Sequence, residues 1–135
     1  MKIAVCIDKS GGMLFNGRRV SQDSVLRQRL FSLLCPGEAL YMNSFSAKQF
    51  ETTDQIVCDD DFLNKAQDSD LCFVENCSVP FDKAEVLYIF NWNRQYPADT
   101  FFEFDPKALN FNKIGTEDFE GSSHKRITLT IYKRG

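Results

Sequence analysis

The last third of the chain decides the fold. It contains Lys83-Ala-Glu-Val-Leu-Tyr-Ile89, then Ala98-Asp-Thr-Phe-Phe102, then Ser122-Ser-His-Lys-Arg-Ile-Thr-Leu-Thr-Ile-Tyr-Lys-Arg134. Residues 86–92 are apolar nearly throughout, which is typical of a central strand covered on both faces. Residues 127–132 alternate apolar and polar side chains, as a half-buried strand does. The chain is therefore predicted to end in consecutive strands.

The first part of the chain alternates predicted strands and helices. An apolar strand over residues 2–7 is followed by a predicted loop over 8–22 and by a helix that Asp23 caps and Pro36-Gly37 ends. Further strands are predicted at 38–42, 55–58, 71–74, 101–104 and 111–114, with short helices after Ser44 or Ser46 and after Asp61. This order predicts an α/β fold with a mixed, mainly parallel sheet and a C-terminal antiparallel hairpin.

Length and composition indicate one ordinary globular domain over residues 1–135. The chain is 43% hydrophobic and 26% charged, with a net charge of −3. A negative net charge disfavours nucleic acid as a partner, and no apolar run is long enough for a membrane span. Residues 1–7 are too short for a signal peptide, so we expect a cytoplasmic protein. The five cysteines are expected to be reduced, buried thiols.

The three segments quoted above resemble the closing strands of the dihydrofolate reductase family. In that family a strand containing Leu-Tyr runs into an Asp-Thr-x-Phe turn, and a long final hairpin ends in a basic pair. The start of the chain is also similar, with an apolar strand, Gly12-Met13, and an acid, Asp23, at the opening of the first helix. The resemblance implies a three-layer dihydrofolate reductase-like fold with helices on both faces of the sheet.

Asp23 is the candidate catalytic residue that the resemblance implies. The family's acid at this point holds the pterin ring and supports protonation of its imine, and Asp23 lies close to that register. The residues themselves allow a second interpretation, in which Asp23 only caps the helix.

The family's NADPH-binding motifs are largely missing. Met42 matches the end of the second strand, but Ser44 stands where the family has a phosphate-binding arginine. The family's later run of glycines corresponds here to residues 73–77, which contain no glycine and carry Glu75. A carboxylate beside a diphosphate is unfavourable. NADPH therefore stays a possible cofactor whose anchors are absent, and the cofactor is left unknown.

Arg18 and Arg19 are the candidate ligand-binding residues. They follow a glycine-containing loop and precede the first helix, where guanidinium groups could hold a phosphate or carboxylate. The alternative is a solvated turn. Ser44 and Ser46 are added as groups that could hold a cofactor in place of the missing arginine.

No metal site is predicted. The chain is also similar to short bacterial chains labelled ribonuclease Z, but that class needs a histidine-rich two-metal cluster and His124 is the single histidine. His124 is expected to lie exposed in a loop, and Trp92 is expected to pack on the core.

Three functions remain open at this point. The first is a non-catalytic or degenerate dihydrofolate reductase-like domain that binds a small anionic or nucleotide-like ligand or a protein partner. The second is an NADPH-dependent reductase of a pterin-like heterocycle with Asp23 as proton donor. The third is a toxin, an antitoxin or a phage-related interaction protein, which an exposed apolar patch would favour.

Overall fold

In the computed structural model, which describes all 135 residues, a seven-stranded sheet is the centre of the molecule. The strands are β1 (Lys2–Ile7), β2 (Gly12–Phe15), β3 (Arg18–Arg19), β4 (Leu40–Met42), β5 (Ile56–Cys58), β6 (Leu71–Phe73), β7 (Val86–Asn91), β8 (Thr100–Phe101), β9 (Phe111–Phe119) and β10 (Ile127–Arg134). The helices are α1 (Ser24–Ser32), α2 (Ser44–Ala47) and α3 (Phe62–Lys65).

The large sheet is mixed and has the order β5-β4-β6-β1-β7-β10-β9. The five strands from β5 to β7 are parallel to their neighbours. Strands β7, β10 and β9 are paired antiparallel, with a register shift between Ile131 and Tyr132. The predicted mainly parallel sheet with a C-terminal antiparallel hairpin is confirmed.

Helices cover both faces of the large sheet, as predicted. On β1, Ala4 packs into a core with Leu26 and Leu30 of α1. Its neighbours Ile3 and Val5 point to the opposite face, where Phe62 of α3 joins a second core. This alternation follows from the two-residue period of a strand and makes a three-layer molecule. The nine-residue α1 is the longest helix, and no helix could span a bilayer.

The predicted loop over residues 8–22 is wrong in part, because it contains a hairpin. Strands β2 and β3 pair antiparallel around Asn16-Gly17, and β8 completes a small three-stranded sheet. Asn16 and Gly17 both have positive φ, 51° and 73°. Two residues with positive φ form the type I′ turn that suits the twist of a hairpin.

Several local predictions also need correction. Helix α1 stops at Ser32, before Pro36-Gly37. Asn43, rather than Ser44 or Ser46, caps α2 through its side chain. Only Cys72 of the five free thiols is fully buried, and three of them, Cys35, Cys58 and Cys77, are exposed.

Candidate functional site

The carboxyl ends of the parallel strands meet at one edge of the sheet beside β1. The chain crosses from β6 on one side of β1 to β7 on the other. Open α/β sheets bind ligands outside the carboxyl ends of their strands, at such a reversal of strand order. Glu75 follows β6, and Trp92 follows β7. This edge is therefore the first place to look for a site.

A partly buried ion pair lies at this edge. Arg19 Nε is 3.0 Å from Glu75 Oε2, and Arg19 Nη2 is 3.1 Å from Glu75 Oε1. The same Nη2 donates to the carbonyl oxygen of Phe45, and the guanidinium lies 4.6 Å from the centre of the Phe45 ring. Gln49 Nε2 donates to Glu75 Oε1 at 2.9 Å. Such a two-pronged contact neutralises both charges.

The space left beside the ion pair is very small. A cavity of about 10 Å³ lies there. Its lining comes from β1, β2 and β3 and from the residues that follow β3, β6 and β7: Cys6, Met13, Arg19, Val20, Ser21, Glu75 and Trp92. A volume of this size holds one oxygen-sized group. The space beside Arg19 and Trp92 is therefore filled by protein side chains, whereas a second cavity of about 330 Å³ lies next to Glu75 and is lined mainly by residues 75–79 and 100–103.

The four predicted ligand-binding residues do not converge. Arg18 is exposed on β3 and makes no ion pair, whereas Arg19 is paired with Glu75. Ser44 is exposed and donates through its hydroxyl to Asp60 at 2.8 Å. Ser46 is fully buried, and its hydroxyl has no hydrogen-bond partner.

Asp23 lies at the opening of α1, as predicted, and all its acceptor positions are used. Oδ1 accepts from the N–H groups of Val25, Leu26 and Ser122 at 2.9, 3.2 and 3.0 Å. Oδ2 accepts from the N–H group and hydroxyl of Ser123 at 2.9 and 3.2 Å. Asp23 thus caps the helix and also ties it to the loop between β9 and β10.

These bonds keep Asp23 ionised. Burial by itself would raise the pKa of this carboxyl group. The N–H of Ser123, the ring of His124 and the N–H groups of Ser122 and Leu26 act in the opposite direction and hold the pKa well below its usual value. Asp23 is therefore a buried carboxylate at neutral pH.

His124 is the second member of this cluster, and the prediction that it is exposed is wrong. The residue is 5% exposed. Its Nδ1 lies 2.9 Å from Asp23 Oδ2, and its ring stacks on Trp92 with centroids 4.5 Å apart. Trp92 packs on the core as predicted. The carboxylate of Asp23 and the indole of Trp92 make burial of the imidazole favourable. The sequence around His124 indicated only a polar loop.

Two hydroxyl groups complete the cluster at the other side of the imidazole. His124 Nε2 lies 2.9 Å from Ser21 Oγ and 3.0 Å from the hydroxyl of Tyr96. Asp8 Oδ2 accepts from the Tyr96 N–H and so holds the Tyr96 segment against the end of β1. Sequence reasoning did not single out Tyr96, because nothing local to residues 95–97 indicates a contact with residue 124.

A separate groove lies between α1 and the segment after α2. Its volume is about 400 Å³, and its lining is mostly polar: Ser24, Arg27, Gln28, Phe31, Gln49, Phe50, Glu51, Thr52, Thr53 and Gln55. Small-molecule sites commonly have volumes of about 300–1,000 Å³. Elsewhere, no three side chains of His, Cys, Asp or Glu come together as metal ligands.

Comparison with known proteins agrees with the architecture. No protein-family model and no curated protein matches the chain. Among solved structures, it is similar to a dihydrofolate reductase from Enterococcus faecalis, determined in complex with NADP(H) and RAB-propyl. The TM-score is 0.70 over 99% of this chain and 95% of the other, with 14% sequence identity. The similarity shows a dihydrofolate reductase-like fold.

Proposed function

We propose that this chain is a dihydrofolate reductase-like domain that is degenerate as an NADPH-dependent reductase and binds a small anionic, nucleotide-like ligand. The single observation that carries the proposal is the Arg19–Glu75 pair at the carboxyl edge of the sheet. Glu75 stands where the resemblance implies the diphosphate anchor, and the pair leaves Arg19 without free positive charge.

The residues at this edge do not fit NADPH. Glu75 is 8% exposed and stands after β6, where the resemblance calls for glycine N–H groups that face a diphosphate. Because Glu75 takes up the charge of Arg19, the pair leaves no free cation here to bind a diphosphate. Phe45 and Gln49 pack around the pair and hold it in place.

The reductase alternative requires Asp23 to hold and release a proton. Its carboxylate is kept ionised, and its oxygens already accept hydrogen bonds from the backbone and from His124. A group in this state is suited to orienting a neighbour rather than to donating a proton. This geometry supports the degenerate domain over the reductase.

The groove beside α1 is the place where we expect the ligand. Arg27 supplies a cation, aromatic rings supply an apolar wall, and threonines supply hydroxyl groups. Glu51 adds a carboxylate to the lining, so the anionic group of the ligand must lie toward Arg27. A cation, an aromatic wall and several neutral donors suit a phosphate-bearing or carboxylate-bearing ring. Arg27 contacts only Gln22, at 3.3 Å, so its charge stays available.

The proposal is tested by thermal shift with adenosine monophosphate, with adenosine as the uncharged control. A micromolar ligand at millimolar concentration stabilises the folded state by about 4 kcal/mol. We expect the monophosphate to raise the Tm, adenosine to have a smaller effect, and Arg27→Gln to remove the difference. Arg18→Gln is the matched control, because Arg18 is also unpaired but lies outside the groove.

NADPH should raise the Tm no more than adenosine monophosphate does, and NADPH should not be oxidised with dihydrofolate. A micromolar NADPH affinity that survives Arg27→Gln, or steady turnover, would show that the cofactor site is intact and the proposal is wrong. Fluorescence of Trp92, the single tryptophan, gives a second signal at the carboxyl edge.

A protein partner is the second candidate, favoured by two exposed aromatic side chains. Phe15 on β2 and Phe101 on β8 are 44% and 49% exposed on the small sheet. If this surface binds a protein, a Phe15→Ser/Phe101→Ser variant should lose that complex and keep its Tm. A complex that withstands both changes would place the contact elsewhere.

A further inference from the structure

Three side chains at the opening of α1 form a relay of hydrogen bonds. Ser21 Oγ lies 2.9 Å from His124 Nε2, and His124 Nδ1 lies 2.9 Å from Asp23 Oδ2. The same contacts join nucleophile, base and orienting carboxylate in serine hydrolases of unrelated fold. We propose that Ser21, His124 and Asp23 form a nucleophilic site that transfers the acyl group of a small ester to water.

The positions of the protons follow from the contacts. Asp23 is ionised and can only accept, so the proton of this contact belongs to His124 Nδ1. With a proton on Nδ1, the uncharged form of the ring has its lone pair at Nε2, which faces the hydroxyls of Ser21 and Tyr96. Stacking on Trp92 fixes the plane of the ring. Asp23 is thus a positioning residue, and Ser21 and His124 are the catalytic residues.

Trp92 supplies an independent observation. Its Nε1–H is buried and has no acceptor in the protein, and Trp92 lines the same 10 Å³ cavity as Ser21. A buried donor without a partner is costly, and an oxyanion formed next to Ser21 would be a suitable acceptor. Glu75 also lines this cavity, but its charge is balanced by the Arg19 guanidinium, which lines the cavity as well. Ser21 is only partly buried, so the rest of an ester can approach from the solvent.

The reaction needs no group that the chain lacks. Ser21 Oγ attacks the carbonyl carbon while its proton passes to His124 Nε2. The new O–C bond forms, the bond to the alcohol breaks, and the alcohol leaves with the proton from Nε2. Water then attacks the acyl-serine with the same base, which releases the acid and restores Ser21. This activity uses neither the groove nor the anionic ligand of the proposed function.

The test is covalent labelling of the full chain with a fluorophosphonate, followed by peptide mapping. We expect the label on Ser21 and none in Ser21→Ala. His124→Gln should slow labelling about a hundred-fold, as removal of a general base does. Ser10→Ala is the matched control, because Ser10 is an exposed serine whose hydroxyl donates to Gln95 and does not contact the imidazole, and it should keep the label.

Two further variants separate catalysis from folding. Trp92→Phe keeps an aromatic ring without the N–H and should lower kcat for p-nitrophenyl acetate about a hundred-fold. His124 is the single histidine, so its nitrogen NMR signals report the tautomer directly. They should show a proton on Nδ1 in the parent and a changed tautomer in Asp23→Asn. Absence of labelling, a label on another residue, or a label that persists in Ser21→Ala would overturn the proposal.

Discussion

Asp23 Oδ2 lies 2.9 Å from His124 Nδ1, although the two residues are 101 positions apart in the chain. The contact joins the start of α1 to the loop between β9 and β10, and both side chains are nearly inaccessible, at 0% and 2% exposed. One carboxylate therefore caps a helix, holds a loop and orients the imidazole. Stability and any chemistry at this site depend on the same group.

Replacement of Asp23 by alanine should destabilise the fold strongly. The change removes the helix cap and leaves buried donors of Ser122, Ser123 and His124 without an acceptor. We expect the free energy of unfolding to fall by about 3 kcal/mol, measured by urea denaturation. Asp61 is the matched control, because it precedes α3 without making a capping bond. A similar loss in Asp61→Ala would contradict this account of Asp23.

Acid should weaken the folded state through Asp23. The pKa of Asp23 in the folded state is depressed, whereas in the unfolded chain the same group should titrate at about 3.9. Its contribution is therefore fully present above that value and is lost as the pH falls from there through the folded-state pKa. Urea denaturation between pH 7 and pH 2.5 should show this decline, and Asp23→Asn should show a shallower one. Equal slopes would mean that other groups dominate acid unfolding.

Gly121 should be intolerant of a side chain. A Cβ there would lie 2.8 Å from Asp23 Cγ and 2.9 Å from Ile127 Cδ1, which is closer than real Cβ contacts come. Gly121→Ala must displace the carboxylate, so we expect a loss of about 2 kcal/mol together with slower fluorophosphonate labelling. Gly115→Ala is the control, because its Cβ would meet only Ile131, at an ordinary 3.9 Å. If both variants behave alike, the carboxylate has room to move.

The sequence predicted the sheet well because its strands carry local signals. The apolar run of β7 and the alternation in β10 are properties of consecutive residues, and they fix which faces are buried. The hairpin at Asn16-Gly17 also had a local signal, since this dipeptide favours positive φ at both positions. The glycines of residues 8–22 were nevertheless interpreted as signs of a loop.

The site could not be predicted in the same way because its contacts are long-range. His124 lies in a stretch of serines and basic residues that resembles an exposed loop, and only the folded chain brings it to Asp23. Arg19 and Glu75 are 56 positions apart, so neither residue indicates that the other neutralises it. Asp23 was identified because the start of a helix has a local pattern.

The cysteines should differ in reactivity according to their burial. Cys35, Cys58 and Cys77 are exposed, whereas burial raises the pKa of Cys72 to about 12 and that of Cys6 well above its usual value. Because the thiolate is the reactive form, native protein should be alkylated by iodoacetamide at the first three positions only. Cys77 should be the slowest of these, since neighbouring atoms partly desolvate its sulfur and raise its pKa although the residue as a whole is exposed. Denatured protein should react at all five, and rapid native modification of Cys72 would contradict the buried core.

Removing one partner of the Arg19–Glu75 pair should lower the free energy of unfolding more than replacing both partners by apolar residues. Arg19 and Glu75 are only 21% and 8% exposed, so Arg19→Met leaves a carboxylate that water reaches poorly. We expect a loss of about 3 kcal/mol in the free energy of unfolding for Arg19→Met. The double variant Arg19→Met/Glu75→Leu removes both charges and should recover most of that loss, because desolvation of the pair offsets much of its attraction.

The exposed pair Lys65–Asp59 provides the control for this cycle. Lys65 is 58% exposed, and Lys65→Met should leave the free energy of unfolding nearly unchanged, because solvent screens an exposed pair. A double variant as unstable as Arg19→Met would show that the two residues are needed for more than charge balance. The double variant should also be tested for NADPH binding. If it is stable and binds NADPH where the parent does not, the ion pair is what prevents the dinucleotide from binding at the carboxyl edge of the sheet.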